Sequence, residues 1–221
     1  ESFIDVFMSG FVHRVQIRLP EEVNRYKTSG HIMDPFVISL DRDVSMLPVH
    51  SAYIQNFVRH YPQYSHVCRL AKRWINAHLF GLDLPEPLVE LLVAYSCYTS
   101  EPYRPSKSSL LCFYNFLNLL ATYPWSSAPL FVNLQLDPDT GMPYLTDEDK
   151  EKMVDIRTEF EYIPNRSLFY VVASYAYDDR NFWTKFNFPS NIVTKREQKR
   201  RFLQQIAEKK HVKLQHNHWF Y

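Results

Sequence analysis

The stretch that decides the fold is YPQYSHVCRLAKRWINAHL (61–79) followed by LPEPLVELLVAY (84–95). Pro62 closes a preceding helix in which Val49, Tyr53, Phe57 and Tyr61 recur four apart. After it, Val67, Leu70, Ala71, Trp74 and His78 line one side of a second helix, and the spacing predicts that Trp74 is core. The other side is Arg69, Lys72, Arg73 and Asn76, a basic stripe opposite an apolar one. Leu84-Pro85 opens a third helix. Its Leu88, Val89, Leu91, Leu92, Val93, Ala94 and Tyr95 leave almost no polar face, so it is expected at the centre of the domain. A fourth helix, about 107–123, is apolar nearly all round through Leu110, Leu111, Phe113, Tyr114, Phe116, Leu117, Leu119 and Leu120. Two such helices need a bundle that covers them on every side.

Outward from this segment the pattern changes. Residues 2–19 read as extended structure with a bulge or bend at Gly10, and Pro20-Glu21-Glu22 opens a short helix. Residues 27–44 carry no regular signal. Beyond Pro124-Trp125, Leu130-Phe131-Val132 is a short strand or arm, 137–145 a surface loop, and Thr146-Asp147-Glu148-Asp149 the capped start of a helix reaching about Glu159. LFYVVASYAY (168–177) is the strongest strand signal, with no second strong strand after it. A basic helix is expected at about 194–210, with Phe202, Leu203 and Ile206 as a narrow apolar face. An α+β unit that ends this early reads as part of a longer polypeptide.

Composition narrows the function. The chain has 221 residues, 46% hydrophobic and 22% charged, with 4 Gly and 16% aromatics, which fits a folded domain and excludes a disordered or collagenous one. The longest apolar run, Leu110–Ala121, is too short for a membrane span, and the opening Glu1-Ser2-Phe3-Ile4-Asp5 lacks the basic region of a signal peptide. No GxGxxG or GxxxxGK[ST] is present, so phosphate-cradling loops of the usual kinds are absent. Cys68, Cys97 and Cys112 form no CxxC and read as buried, reduced thiols. His211, His216 and His218 cluster, but without a cysteine or tight helical spacing they make no zinc site. No cofactor and no metal are expected.

Charge is segregated. Residues 137–162 hold nine acids and three bases, net −6, and residues 194–213 hold eight bases and two acids, net +6. Lys195, Arg196, Lys199, Arg200 and Arg201 make a positive stripe suited to phosphates, to an acidic protein surface, or to the chain's own 147–161 helix.

The motifs RLAKRW (69–74) and LPEPLVELL (84–92) resemble the helical domain of poly(A)-polymerase and oligoadenylate-synthetase type nucleotidyltransferases. More closely, 61–79, SSLLCFYNFL (108–117) and YPWSSAPLFVNL (123–134) resemble the Nrap family, the nucleolar RNA-associated proteins, with likeness running from about Phe3 to Leu203. Residues 20–45 and 212–221 match nothing in that pattern. The resemblance implies an α+β chain in three parts. Residues 1–44 would be the edge of a nucleotidyltransferase-like domain and 45–145 a helical poly(A)-polymerase/oligoadenylate-synthetase-like domain. Residues 146–221 would begin a ferredoxin-like domain.

It also implies a catalytically silent scaffold of the nucleolar small-subunit processome, in the nucleus, which matures pre-18S rRNA. Its partners would be pre-rRNA or small nucleolar RNA and other processome proteins. Lys72 would face a phosphate, the other reading being a solvated basic face or a salt bridge to a neighbouring domain. With the basic stripes, the expected RNA-binding residues are Arg69, Lys72, Arg73, Lys195, Arg196, Lys199, Arg200 and Arg201. The alternative is the substrate-binding portion of an active template-independent RNA nucleotidyltransferase. Against it stands the carboxylate inventory. Two-metal transfer needs paired acids, and the candidates are only Asp5 on a strand and the spaced pair Asp41 and Asp43, with no Gly-Ser turn before them.

Overall fold

The computed structural model describes residues 3–16, 19–30, 35–78, 80–81, 84–99, 108–163, 169–177 and 182–183. The expected basic helix at 194–210 and the histidines at 211–218 lie outside these. The chain is α+β and mainly helical. It forms two compact units, Glu1–Ala52 and Tyr53–Tyr221. The expected boundary at 44/45 falls inside the first, and the one at 145/146 inside the second.

In the first unit, β1 (Phe3–Met8) and β2 (Phe11–Gln16) form an antiparallel hairpin with Phe3 opposite Gln16. Its turn is Ser9-Gly10, both with positive φ, which matches the right-handed twist of paired strands. The bend expected at Gly10 is therefore a hairpin turn. Arg14 grips Asp5 with two hydrogen bonds of 2.8 and 2.9 Å and lies over the Phe3 ring. Phe3, Ile4, Val6, Phe7, Phe11, Val12 and Val15 are all exposed. The short helix expected to open at Pro20 is α1 (Pro20–Thr28), and the stretch without regular signal holds α2 (Pro35–Asp41) and the start of a π-helical turn (Arg42–Met46). Val23, Val37 and Leu40 are buried here, Tyr26 meets Phe36 edge-on, and Lys27 pairs with Asp41 at 2.8 Å. Val37 and Ile38 are β-branched and favour strand, so packing outweighs propensity at α2.

The division between the units falls within α3 (Leu47–His60). The second unit is built on α4 (Tyr64–Ala77), α5 (Glu86–Tyr98) and α6 (Ser109–Thr122), each packed on the other two. As expected, α5 is central: Leu88, Val89, Leu91, Leu92, Val93, Ala94 and Cys97 are all buried. Helix α6 departs from expectation. Cys112, Phe116 and Leu120 are buried at intervals of four, whereas Leu110 is 75% exposed and Leu111 and Tyr114 are also exposed. The apolar circumference of α6 exceeds the surface that its neighbours cover. Helix α4 departs too. Its buried stripe is Tyr64, Val67, Cys68, Ala71 and Ile75, which leaves Leu70 and Trp74 half-buried on the flank, so Trp74 is not core.

Trp125 takes that core role. It is buried, its Nε1 donates to the Leu120 carbonyl at 3.1 Å, and it meets Phe169 edge-on at 4.7 Å. The strand signal at 168–177 resolves to β4 (Val171–Ala173), and its partner precedes it: β3 (Leu130–Val132) pairs with it in parallel. Between them α7 (Asp147–Tyr162) carries a capping box between Thr146 and Asp149 and lays Ile156 and Phe160 against Tyr170 and Val172. The β3–β4 ladder thus joins residues on either side of 145/146, and β3 also packs on α5. The loop 137–145 is pinned just past the end of α3, where the Tyr61 hydroxyl donates to the Gly141 carbonyl at 3.1 Å. Among the described residues no helix is long and apolar enough to cross a membrane.

Candidate nucleic-acid interface

Helix α4 presents three kinds of surface, set by its 3.6-residue period. The stripe from Tyr64 to Ile75 faces the core. On the opposite side His66, Arg69, Arg73 and Asn76 are exposed in i, i+3, i+7, i+10 order. Among the described residues neither Arg69 nor Arg73 meets a carboxylate. This is a positive row open to solvent.

Lys72 is not part of that row. Its ammonium donates to Glu86 Oε2 at 2.7 Å and to Glu90 Oε1 at 2.6 Å. Both acids are on α5, one turn apart, so they converge on a single donor. Burial alone would lower the Lys72 pKa, but the two carboxylates outweigh it and raise it. Charge-assisted bonds of this length are the strong kind, and a phosphate would have to displace both acids to reach Lys72. Sequence reasoning missed Glu86 and Glu90. The signal was a pair of acids four apart at the start of an otherwise apolar helix.

The same corner holds reactive-group types that are chemically quiet. Burial pushes the Cys68 thiol up to about 11, with the Glu90 carboxylate adding to it. Cys97 is raised by its hydrogen bond with Cys112 and by burial. All three cysteines are buried, as expected.

The flank of α4 away from Lys72 is aromatic. Trp74 lies 4.4 Å from His78, and His78 lies 6.3 Å from Phe80 with the rings nearly parallel. His78 Nδ1 is 2.7 Å from the Trp74 carbonyl oxygen, which holds the imidazole in place.

The candidate catalytic acids do not converge. Asp5 is taken by Arg14, Asp41 by Lys27 and Ser45, and Asp43 by Arg42. Among the described residues no three His, Cys, Asp or Glu side chains gather to hold a metal ion. Of the expected RNA-binding residues, Arg69 and Arg73 stand together, Lys72 is turned toward α5, and Lys195, Arg196, Lys199, Arg200 and Arg201 lie outside the described residues.

The site is thus a charged outer row on one helix of a mainly helical unit. Residues 61–216 match the family described as Nrap protein PAP/OAS1-like domain 5. The match covers well over half of the chain, and the chain belongs to the Nrap family. It is similar to mouse (Mus musculus) nucleolar protein 6, 33% identical over 137 residues, or 59% of this chain and 12% of that protein. The Xenopus laevis nucleolar protein 6 is 34% identical over the same shares. The U3 small nucleolar RNA-associated protein 22 of Schizosaccharomyces pombe is 24% identical over 198 residues, or 86% of this chain and 17% of that protein. The chain thus spans only 12–17% of the length of these relatives. With nucleolar relatives, its localisation is the nucleus, in the nucleolus.

Proposed function

We propose that this chain is part of a catalytically silent, nucleotidyltransferase-like scaffold of the small-subunit processome, acting in pre-18S rRNA processing and ribosome biogenesis. The observation that carries the reading is the double ion pair of Lys72 with Glu86 and Glu90. It turns the one basic side chain between Arg69 and Arg73 into a tie between α4 and α5, while the two arginines stay outside. Such a helix binds an anionic surface without serving a nucleotide. The relatives, a nucleolar protein and a U3 small nucleolar RNA-associated protein, support a nucleolar setting and an RNA ligand.

On this reading, pre-rRNA or small nucleolar RNA lies against Arg69 and Arg73, with Lys195, Arg196, Lys199, Arg200 and Arg201 adding phosphate contacts, and Lys72 supports the surface from behind. Other processome proteins cover the remaining faces. Residues 1–44 serve as the edge of a nucleotidyltransferase-like domain, a role that suits a hairpin apolar on both faces. Residues 45–145 are the helical domain, and 146–221 begin a ferredoxin-like one. Ultraviolet crosslinking in nucleolar extract tests this: the chain should recover pre-rRNA or small nucleolar RNA, and replacing the seven exposed or outlying bases by alanine should lose it. Equal recovery by the variant contradicts the reading.

A further inference from the structure

We infer that the flank of α4 carrying Trp74 is a base-stacking platform for single-stranded RNA, set beside the arginine row that holds the backbone. The inference rests on the RNA-binding reading of Arg69 and Arg73.

Three observations point to it. The first is where the indole sits. Trp74 is half-buried, although α4 sinks five other side chains into the core and the same unit buries Trp125 completely. The second is that its surroundings hold it still. Trp74 packs against His78 with ring centroids 4.4 Å apart and planes tilted by 32°, and His78 in turn lies beside Phe80, which is itself buried. The contact of His78 Nδ1 with the Trp74 carbonyl fixes the middle ring. A ring held on one side and open on another loses little entropy when a base stacks on it. The third is position. Trp74 follows Arg73 directly, so it lies about 100° round the helix from it, and Leu70 continues the apolar row one turn back.

A row of guanidinium groups next to a fixed, half-open aromatic row is the pattern by which proteins hold single strands: cations follow the phosphates and bases stack on the rings. A duplex has its bases already stacked on one another and offers such a platform nothing. The arginine row alone serves either form of RNA. The aromatic row selects the single strand, with little preference among bases because every base has a π-face.

The test titrates the full chain with a labelled short uridine oligomer, an adenosine oligomer and a short RNA duplex over a range of salt. Trp74→Leu should weaken both single strands about tenfold, the effect of losing one stacked base, while duplex affinity and the salt slope stay as in the parent. Trp74→Phe, which preserves fold and a ring, should retain most of the affinity. Tryptophan emission should fall when the parent chain meets the oligomers, and Trp74→Phe should lose that quench. Arg69→Ala with Arg73→Ala should weaken single strand and duplex alike and flatten the salt slope. If Trp74→Leu leaves single-strand affinity unchanged, or weakens strand and duplex equally while the arginine variant still flattens the slope, the platform is wrong and the RNA reading stands. If the arginine variant leaves affinity and slope unchanged, the RNA reading fails and takes the platform with it.

Discussion

The Lys72 ammonium lies 2.6 Å from a Glu90 carboxylate oxygen, and each of the two side chains keeps only about a quarter of its surface in water, at 26% and 22%. The second carboxylate on Lys72, Glu86, is 76% exposed. A half-sequestered pair with one exposed reinforcement is worth more than a surface ion pair and less than a fully buried one. Lys72→Met should cost about 1–2 kcal/mol in urea unfolding, Glu90→Ala a similar amount, and Glu86→Ala under about 0.5 kcal/mol. Equal effects of Glu86→Ala and Glu90→Ala would show that the burial difference does not set the energetics.

The same pair has a pH signature. The folded-state pKa of Lys72 is raised, so its contribution is fully present below the unfolded lysine value of about 10.4 and is lost as pH climbs above that toward the folded value. The stability difference between the parent and Lys72→Met should therefore be constant from neutral pH to about pH 10 and shrink beyond it. Comparing the two chains cancels the alkaline titration of groups remote from Lys72, which affects both; the Cys68 thiol, which Lys72 pulls down, moves up with its loss.

Tryptophan tells core from flank. Trp125→Ala should cost about 3–5 kcal/mol, the range for deleting a buried large aromatic, and Trp74→Ala about 1–2 kcal/mol because the ring is half in solvent. Thermal or urea unfolding of the two variants checks the order, and a larger loss at 74 would contradict the packing described for α4.

Gly141 has φ +66°, and a Cβ there would meet His60 Cδ2 at 2.9 Å. Gly141→Ala should destabilise by about 1–2 kcal/mol from the left-handed backbone alone. Adding His60→Ala should recover the steric part and leave the conformational part, which unfolding of the double variant measures.

Nucleotide transfer should be absent. With Asp5, Asp41 and Asp43 each committed to a basic partner, incubation with labelled ATP or CTP, Mg²⁺ and an RNA primer should give no extension. Robust metal-dependent extension would favour the alternative of a working nucleotidyltransferase.

The helices that build the second unit were legible because their apolar residues recur at three and four and because Pro62, Leu84-Pro85 and Pro124 punctuate them. What escaped has physical causes. Helix periodicity locates a stripe only to within a residue, and at α4 the buried stripe runs one position off Trp74, through Ala71 and Ile75. An all-round apolar helix does not declare which side is covered, so the exposure of Leu110 and Tyr114 on α6 had no local signal. Pro35, Val37 and Ile38 mask α2, and nothing in Arg42–Met46 announces a π turn. The three-residue strands β3 and β4 pair in parallel across α7, a long-range contact that neither strand's own residues specify. The basic stripe on α4 was legible as charge, but the withdrawal of Lys72 toward Glu86 and Glu90 depends on how α4 crosses α5.

The most direct test of an RNA-associated, non-catalytic role is the salt dependence of RNA binding by the full chain. Affinity for unstructured RNA should fall steeply with salt, and the log–log slope should shrink by about 0.7 for each phosphate contact removed. Arg69→Ala with Arg73→Ala, and separately Lys199→Ala with Arg200→Ala, should each lower both affinity and slope whatever the RNA sequence. Unchanged slopes in both double variants would contradict the account and return the basic surfaces to solvent or to an acidic protein partner.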